Sequence, residues 1–259
     1  MKTVQADFVL KEKKVFSSGC CLLKLSPEDT SVKLPPCQPG QFVQVKTDCA
    51  SVFLRRPISV CYAEGNALVL FVKPVGPGSR WLTELGEGEK VNIIYPLGKG
   101  FSIDNVAGQK VLLVGGGVGC APLVYLCNIL SEKGADISVA VGGRTIGDVK
   151  EVIDLYKGSS FVAVSTDDGS MGEKGVITKN SVFEKSFDRI YCCGPEPMMK
   201  AVAKIAAEKD IWCEVSLENS MACGIGACLC CVQDTADEGN VCVCKEGPVF
   251  NIKRLKSWV

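Results

Sequence analysis

Residues 111–130 read VLLVGGGVGCAPLVYLCNIL and carry no charge. The run is as long as the roughly 20 residues that a membrane span requires. Three consecutive glycines and Pro122 interrupt it, however, and the apolar VLLV before them is typical of a buried parallel strand. The stretch therefore predicts a strand, a glycine turn and a helix, in a protein that does not cross a membrane.

Strands and helices alternate on the C-terminal side of this stretch. Further short apolar strands are predicted at 137–143, 161–166 and 189–194, and helices near 120–133, 148–156 and 196–208. This alternation predicts an α/β domain built on a doubly wound parallel sheet.

The first hundred residues have a different pattern, with β-branched runs separated by turns rich in glycine and proline. The runs are QFVQVKT (41–47), ALVLFVK (67–73) and KVNIIYP (90–96). Strand spacing with almost no helical period predicts a small antiparallel β-barrel. We therefore expect the barrel in residues 1–102, the α/β domain in 103–211 and a small cysteine-bearing segment in 212–259.

Composition excludes several classes of protein. The 259 residues suffice for about two domains, and with 47% hydrophobic and 22% charged residues they can bury a sizeable core. A formal net charge of +0 gives no reason to expect a nucleic-acid or anionic-membrane partner. The absence of histidine excludes histidine acid–base chemistry and histidine-ligated metals.

The 16 cysteines could form a disulfide framework, but such frameworks belong to short secreted chains. The first residues, MKTVQADFVLKEKKVF, alternate charged and apolar residues and lack the apolar centre of a signal peptide. We therefore expect a cytoplasmic protein in a reducing compartment, with most cysteines acting as small core residues.

Four cysteines near the C-terminus have the spacing of a metal centre. The candidate ligands are Cys223, Cys228, Cys231 and Cys244. The first three follow C-x4-C-x2-C, the spacing by which plant-type ferredoxins hold a [2Fe–2S] cluster. Gly224 and Gly226 permit the backbone angles of the tight loop that such a cluster needs. If they hold a cluster, the protein moves single electrons.

Two alternatives stay open for these cysteines. Four thiolates at such spacings can also hold a tetrahedral Zn²⁺, which would make the chain a non-enzymatic zinc or redox-sensing module. Cys230 and Cys242 lie beside or near the ligand positions, so either could take the place assigned to Cys231 or Cys244.

The glycine turn after the first predicted parallel strand is a candidate nucleotide site. Its residues are Gly115, Gly116, Gly117 and Gly119. Glycines there let the backbone approach a pyrophosphate at the helix N-terminus, although they also serve tight packing. The match to G-x-G-x-x-G is incomplete, and Arg144 stands where an acidic residue often selects NAD, which leaves NADP possible. Cys193, Gly194 and Pro195 follow a later strand, at the same sheet edge.

The barrel contains a candidate phosphate and flavin site. Arg55, Arg56 and Ser59 lie beside a strand in LRRPISV (54–60), where guanidinium groups could bind a diphosphate and the hydroxyl a flavin ring edge. GPGSR (76–80) precedes a predicted short helix whose first amides could bind a second phosphate oxygen. The alternative is a surface arginine pair and an ordinary capped helix.

Taken in order, the motifs RPIS (56–59), GGGVGCAP (115–122) and CGPEPM (193–198) resemble the ferredoxin–NADP reductase superfamily, in which a flavin-binding barrel precedes a nicotinamide-binding α/β domain. The cysteine spacing, with Met221 and Ala222 before it and GPVF (247–250) after it, is similar to that of electron-transfer subunits of NAD-linked, type B dihydroorotate dehydrogenases. The resemblance covers essentially the whole chain.

The resemblance implies a residue set for each cofactor. It implies that FAD is held by Arg56, Pro57, Ile58, Ser59, Lys73, Pro74, Val75, Gly78 and Ser79; that NAD is held by Gly115, Gly116, Gly117, Gly119, Cys193, Gly194 and Pro195; and that a [2Fe–2S] cluster is held by Cys223, Cys228, Cys231 and Cys244. It assigns no side chain to general acid–base catalysis.

The resemblance also implies a place in pyrimidine biosynthesis. A partner catalytic subunit would oxidise dihydroorotate at its own FMN, and electrons would pass through the cluster and FAD to NAD⁺. It implies a heterotetramer of two plus two, with Met221, Ile225 and Leu229 near the partner. The nearest alternative is a subunit of another iron–sulfur flavoprotein NAD(P)H–ferredoxin reductase.

Overall fold

The computed structural model describes residues 3–258; residues 1–2 and 259, at the outer ends of the first and third predicted parts, lie outside the described residues. The strands are β1 (Val4–Val15), β2 (Cys21–Pro27), β3 (Phe42–Val45), β4 (Arg56–Glu64), β5 (Ala67–Val72), β6 (Lys90–Leu97), β7 (Lys110–Gly116), β8 (Asp136–Gly143), β9 (Phe161–Thr166), β10 (Glu173–Lys174), β11 (Arg189–Cys193), β12 (Trp212–Ser216), β13 (Val232–Thr235), β14 (Gly239–Cys242) and β15 (Val249–Asn251). The α-helices are α1 (Pro77–Glu84), α2 (Cys120–Glu132), α3 (Ile146–Ile153), α4 (Glu196–Glu208) and α5 (Val243–Glu246).

The first six strands form a closed barrel in the order β1-β2-β5-β4-β3-β6, with every neighbouring pair antiparallel. Its interior is filled by apolar side chains from all six strands, among them Phe8, Leu23, Val43, Leu70 and Ile93, each fully buried. The predicted antiparallel barrel is confirmed.

The second sheet has seven strands in the order β10-β9-β8-β7-β11-β12-β15. All neighbouring pairs are parallel except β12 and β15, which run antiparallel. The stretch 111–130 forms β7, a 3-10 turn at Gly117–Gly119 and α2, as predicted. None of the helices within residues 3–258 combines the length and apolar character that crossing a membrane takes.

The barrel and the sheet share one apolar core. Cys61 and Phe71 from the barrel pack in the same buried cluster as Leu113 of β7 and Leu123 of α2. Burial across this junction holds the two sheets together, because apolar area removed from water stabilises at about 25 cal/mol per Å².

The C-terminal segment is an excursion from the edge of the parallel sheet. The chain leaves the sheet after β12, forms the β13–β14 hairpin and α5, and returns as β15. Since β12 pairs in parallel with β11, the sheet continues past residue 211, where the sequence predicts the end of the α/β domain. The division at residues 102 and 211 stays a prediction.

Candidate functional site

A cavity of about 370 Å³ lies where the barrel, the parallel sheet and the C-terminal excursion meet. That volume falls in the range of small-molecule and cofactor sites. Its lining comprises Phe42, Val52, Arg56, Pro57, Ile58, Ser59, Phe71, Val72, Lys73, Val75, Gly76, Pro77, Gly78, Ser79, Val118, Ala121, Cys193, Ser216, Leu217, Glu218, Asn219, Met221 and Pro248. All the residues predicted to hold the flavin line it except Pro74, which faces Gly19.

Strand β4 brings its motif to the cavity by pairing with β3. Pro57 lies opposite Gln44 and Ser59 opposite Phe42. Directly opposed residues of an antiparallel pair point to the same face, so Ser59 and Phe42 both border the cavity. The sequence motif and the strand register therefore place the Ser59 hydroxyl where a flavin ring edge could reach it.

The start of helix α1 completes a site suited to a diphosphate. The Ser79 hydroxyl accepts hydrogen bonds from the amides of Val75 at 2.9 Å and Gly76 at 3.0 Å, which fixes the turn. A Cβ added to Gly78 would lie 3.0 Å from Cδ of Arg56, so the arginine stem packs against the first helical turn. A guanidinium beside a helix N-terminus offers two complementary sources of positive potential to a diphosphate.

Arg55 does not share this role. Its guanidinium donates to the carbonyl of Gln44 at 3.3 Å, to the carbonyl of Asn92 at 3.1 Å and to Asn92 Oδ1 at 2.6 Å. These bonds tie β3 and β6 together at the barrel wall. Of the arginine pair singled out in the sequence, only Arg56 lines the cavity.

The two predicted nucleotide turns lie against each other. A Cβ on Gly119 would lie 2.4 Å from the carbonyl oxygen of Cys193, and one on Gly194 would lie 3.0 Å from the carbonyl oxygen of Gly116. Close packing therefore accounts for these glycines, as it does for Gly115 beside Cys120.

Gly117 differs from the other glycines of the turn. Its φ is +57°, and a Cβ there would meet no atom within 4 Å, so it is the glycine of the turn that faces open space. Cys193 reaches the cavity lining, whereas the four glycines, Gly194 and Pro195 do not. Their assignment to the nucleotide stays a prediction.

Sequence reasoning missed Glu218, which lines the cavity with Cys193 and Asn219. Desolvation by the surrounding protein raises the pKa of the Glu218 carboxyl above its ordinary value. Burial, followed by the charge of Glu218, raises the pKa of the Cys193 thiol well above its usual range, so that thiol is protonated at neutral pH. Glu218 follows β12 at the carboxyl-end edge of the parallel sheet, and that position is the signal that could have revealed it.

The cysteine loop has the backbone that the sequence predicts, since Gly224 and Gly226 adopt φ values of +73° and +81°. Loop amides point at sulfur: the amide of Ile225 donates to Cys223 Sγ at 3.4 Å and that of Gly226 to Cys244 Sγ at 3.1 Å. Burial opposes ionisation of Cys223, but hydrogen bonds from loop amides, led by Ile225, lower its pKa to about 6. The loop thus favours the thiolate of Cys223, the form that binds metal, whereas burial raises the pKa of Cys244 to about 12.

The cysteine side chains of the loop lie close to one another. Cys223 lies beside Cys228, and Cys231 lies beside both Cys244 and Cys242. Within residues 3–258, no three side chains of the cysteine, aspartate or glutamate types converge closely enough to hold a single metal ion. The four sulfurs are thus not gathered at one point, and both a [2Fe–2S] core and a tetrahedral zinc take four cysteine ligands.

The neighbouring cysteines differ from the predicted ligands in their hydrogen bonds. Cys244 Sγ accepts the amide of Gly226 at 3.1 Å and Cys231 Sγ accepts the amide of Cys244 at 3.4 Å, whereas Cys242 Sγ donates to the carbonyl of Gly226 at 3.8 Å. Cys230 is exposed, next to buried Cys231. The geometry favours Cys231 and Cys244 over their neighbours.

The exposed side of the loop is apolar. Ile225 is 59% exposed and Leu229 is 66% exposed, whereas Met221 turns inward to the cavity lining. Of the three residues predicted near a partner, Ile225 and Leu229 thus form an open surface beside the cysteines.

Comparisons with known proteins show which family the chain is similar to. Residues 218–256 match the iron–sulfur cluster binding domain of dihydroorotate dehydrogenase B. The chain is 39% identical to the dihydroorotate dehydrogenase B (NAD(+)) electron transfer subunit of Clostridium perfringens, over 82% of this chain and 84% of that one. It is 38% identical to the subunit of the same name from Listeria monocytogenes, over 99% of this chain and 98% of that one.

Solved structures share the fold. An NADH-dependent reduced ferredoxin–NADP oxidoreductase, studied for flavin-based electron bifurcation, has a TM-score of 0.80 and 28% identity, covering 95% of this chain and 88% of that one. Phthalate dioxygenase reductase has a TM-score of 0.67 at 20% identity, over 98% of this chain and 96% of that one, which shows the fold alone. On its identity to the curated subunits across most of its length, the chain belongs to the family of dihydroorotate dehydrogenase B electron transfer subunits.

Proposed function

We propose that this protein is the electron-transfer subunit of an NAD-linked dihydroorotate dehydrogenase and serves pyrimidine biosynthesis. The observation that carries the proposal is that the cavity lined by the predicted flavin residues and the cysteine loop share one wall. Met221 lines the cavity two residues before Cys223. When bound, a [2Fe–2S] cluster supplies single-electron transfer and FAD supplies the exchange between single electrons and hydride transfer with NAD⁺.

The residues of the cavity bind and orient. Arg56 and the first turn of α1 would hold the diphosphate of FAD, and Ser59 would contact the ring edge. Cys193 and Glu218 border the end of the cavity where the nucleotide turns lie, so NAD approaches from that side. Arg144, exposed after β8, is the side chain nearest in sequence to the NAD-selecting position.

The cysteine loop holds the cluster. Cys223, Cys228, Cys231 and Cys244 would be its ligands, and backbone amides donate to the sulfurs of Cys223, Cys231 and Cys244. Burial of Cys231 and Cys244, each 2% exposed, keeps water from one side of the cluster, while Cys228 is exposed on the other.

The partner is a catalytic subunit, which we propose carries FMN and assembles with this chain as a heterotetramer of two plus two. The apolar surface of Ile225 and Leu229 beside the cysteines supports docking there. All 16 cysteines are free thiols within the described residues, which supports a reducing, cytoplasmic location.

The test is reconstitution of the anaerobically purified chain with the catalytic subunit of a dihydroorotate dehydrogenase B. We expect a visible spectrum with flavin and [2Fe–2S] bands, and NAD⁺ reduction that depends on dihydroorotate. Substitution Cys228→Ser should bleach the cluster bands and stop this turnover, because one iron loses a ligand, while the flavin bands remain. Turnover at the wild-type rate without cluster bands would overturn the proposal.

A second candidate function is a ferredoxin-linked NAD(P)H oxidoreductase subunit. The 28% identity to the bifurcating oxidoreductase over 95% of this chain favours it specifically. The same purified protein distinguishes the two, since this candidate predicts ferredoxin-dependent NAD(P)⁺ reduction and no response to dihydroorotate with the catalytic subunit present.

A further inference from the structure

Gln44 on β3 is a buried polar residue that neither proposed cofactor site yet explains. Its side chain is 0% exposed, and neither Oε1 nor Nε2 has a hydrogen-bond partner within residues 3–258. An unpaired buried amide is unfavourable, and most buried polar groups in proteins are paired. The side chain therefore suits a partner other than the polypeptide.

The alternation of β3 shows where this side chain points. Val43 and Val45 fill the barrel interior, whereas Phe42 packs into the core that contains Cys231 and Cys244. Residues two apart on a strand share a face, so Gln44 points out of the barrel, in the direction of Phe42 and the C-terminal excursion.

The cysteine loop covers the Gln44 amide. A Cβ added to Gly224 would lie 2.6 Å from Cγ and 2.7 Å from Nε2 of Gln44. Gly224 is therefore required for space as well as for its φ of +73°. Because Gly224 directly follows Cys223, the amide lies under the first ligand of the proposed cluster.

On its other side, Gln44 adjoins β4, the strand that carries Arg56 to Ser59 of the proposed flavin site. Its register partner is Pro57, which lines the cavity, but Gln44 itself is not part of the cavity lining. The contact with Gly224 thus favours a partner in the cluster loop over a partner in the flavin site.

We propose that the Gln44 amide donates a hydrogen bond to the sulfur atoms of the cluster held by the Cys223 loop, and so raises the reduction potential of the cluster. A donor to sulfur stabilises the extra negative charge of the reduced cluster. This inference rests on the proposed function, because it requires the [2Fe–2S] centre.

The experiment compares the wild-type holoprotein with Gln44→Met, which keeps the shape of the side chain and removes its polar atoms. The cluster and the flavin are titrated separately, by electron paramagnetic resonance and by visible absorption. We expect the cluster potential to become more negative, while the iron content and the flavin potential stay unchanged. The matched control is Gln5→Met, the same substitution at an exposed position of β1 in the same barrel, which should leave both potentials unchanged.

A second variant, Gln44→Glu, keeps the size but replaces the donor by a negative charge, and it should shift the cluster potential further in the same direction. If Gln44→Met does not retain the cluster, the cluster potential of Gln44→Glu tests the inference instead. An unchanged cluster potential in either iron-replete variant, or a shift of the flavin potential alone, would overturn the inference. A wild-type protein that shows flavin but no [2Fe–2S] signal would instead overturn the proposed function.

Discussion

At the scale of single residues, the direction of hydrogen bonds shows which cysteine is the better candidate ligand where spacing alone does not. The sequence places Cys242 and Cys244 two residues apart, and both thiols lie near Cys231. Only Cys244 Sγ accepts a backbone amide, whereas Cys242 Sγ faces a carbonyl oxygen. A cluster ligand must be a thiolate, so the two positions should respond differently to substitution.

We predict that Cys244→Ser abolishes the [2Fe–2S] bands and lowers iron to the background of the apoprotein, because a required ligand is lost. The matched variant Cys242→Ser should retain full iron content and the wild-type spectrum. Iron analysis and visible absorption of both proteins, purified in parallel without oxygen, measure this. Loss of the cluster in Cys242→Ser, with its retention in Cys244→Ser, would show that the assignment is reversed.

At the scale of elements, Glu214 connects β12 to the segment that follows the barrel. Its carboxylate accepts from the Ser102 amide at 2.9 Å and from the Ser102 hydroxyl at 2.6 Å, and the Tyr191 hydroxyl donates to the Ser102 carbonyl at 2.6 Å. Burial raises the pKa of Glu214 above its ordinary value of 4.5, although the bonds from Ser102 act against that.

Because the folded protein holds the Glu214 proton more tightly than the unfolded chain, ionisation destabilises the fold. The free energy of unfolding should fall as pH rises above about 4.5 and level off above the raised pKa, by about 1.4 kcal/mol for each unit by which that pKa is raised. In Glu214→Gln this contribution should vanish, whereas Glu12→Gln, at an exposed site on β1, should follow the wild type. Urea unfolding at a series of pH values tests this, and parallel curves for Glu214→Gln and the wild type would contradict it.

Several of these elements could be predicted from periodicity. Strands β1, β2, β10 and β12 to β15 were not, and two of them show the physical causes. Strand β9 and helix α4 have the predicted bounds, because each is a strongly patterned run between turn residues. Strand β1 was not predicted: its alternating charged and apolar residues pair with both β2 and β6, which local sequence does not reveal. β10 has two residues, too few for any periodicity.

The candidate site also has parts that the sequence predicts and parts that it does not. RPIS and the cysteine spacing are local patterns, so the sequence locates them. Glu218 and Gln44 acquire their environments only when distant segments fold against them. For Gln44 that segment is the loop at Gly224, far along the chain. Polar residues at a strand end or within a strand are common. What distinguishes these two, the burial of Gln44 and the place of Glu218 in the cavity lining, is a property of the tertiary structure.

At the scale of the whole molecule, the proposed flavin cavity is formed jointly by the barrel, the sheet and the excursion. A ligand that binds only the assembled cavity stabilises the fold by RT ln(1 + [L]/Kd), about 2.7 kcal/mol at a hundred times Kd. FAD should therefore raise the melting temperature of the flavin-free protein in a concentration-dependent way.

We predict that Arg56→Ala shifts this dependence to FAD concentrations roughly tenfold higher or more, because one charge-assisted hydrogen bond contributes about 1.5–3 kcal/mol. Arg80→Ala is the matched control, since Arg80 is exposed on the same helix, α1, and does not line the cavity. Thermal scans of flavin-free protein over a range of FAD measure both. Equal effects of the two substitutions would show that Arg56 has no specific role.

After the cysteine loop the chain returns to the sheet edge at the point where it left, which ties the flavin cavity to the iron site. Ser216 and Val249 are paired neighbours on β12 and β15, and the amide of Leu217 donates to the carbonyl of Pro248 at 2.9 Å. Residues 217–248 thus begin and end at one point of the sheet edge. Replacing them with a tight turn would preserve the strand order on either side but would remove Leu217, Glu218, Met221 and Pro248 from the cavity lining, so a shortened protein should lose its flavin together with its iron.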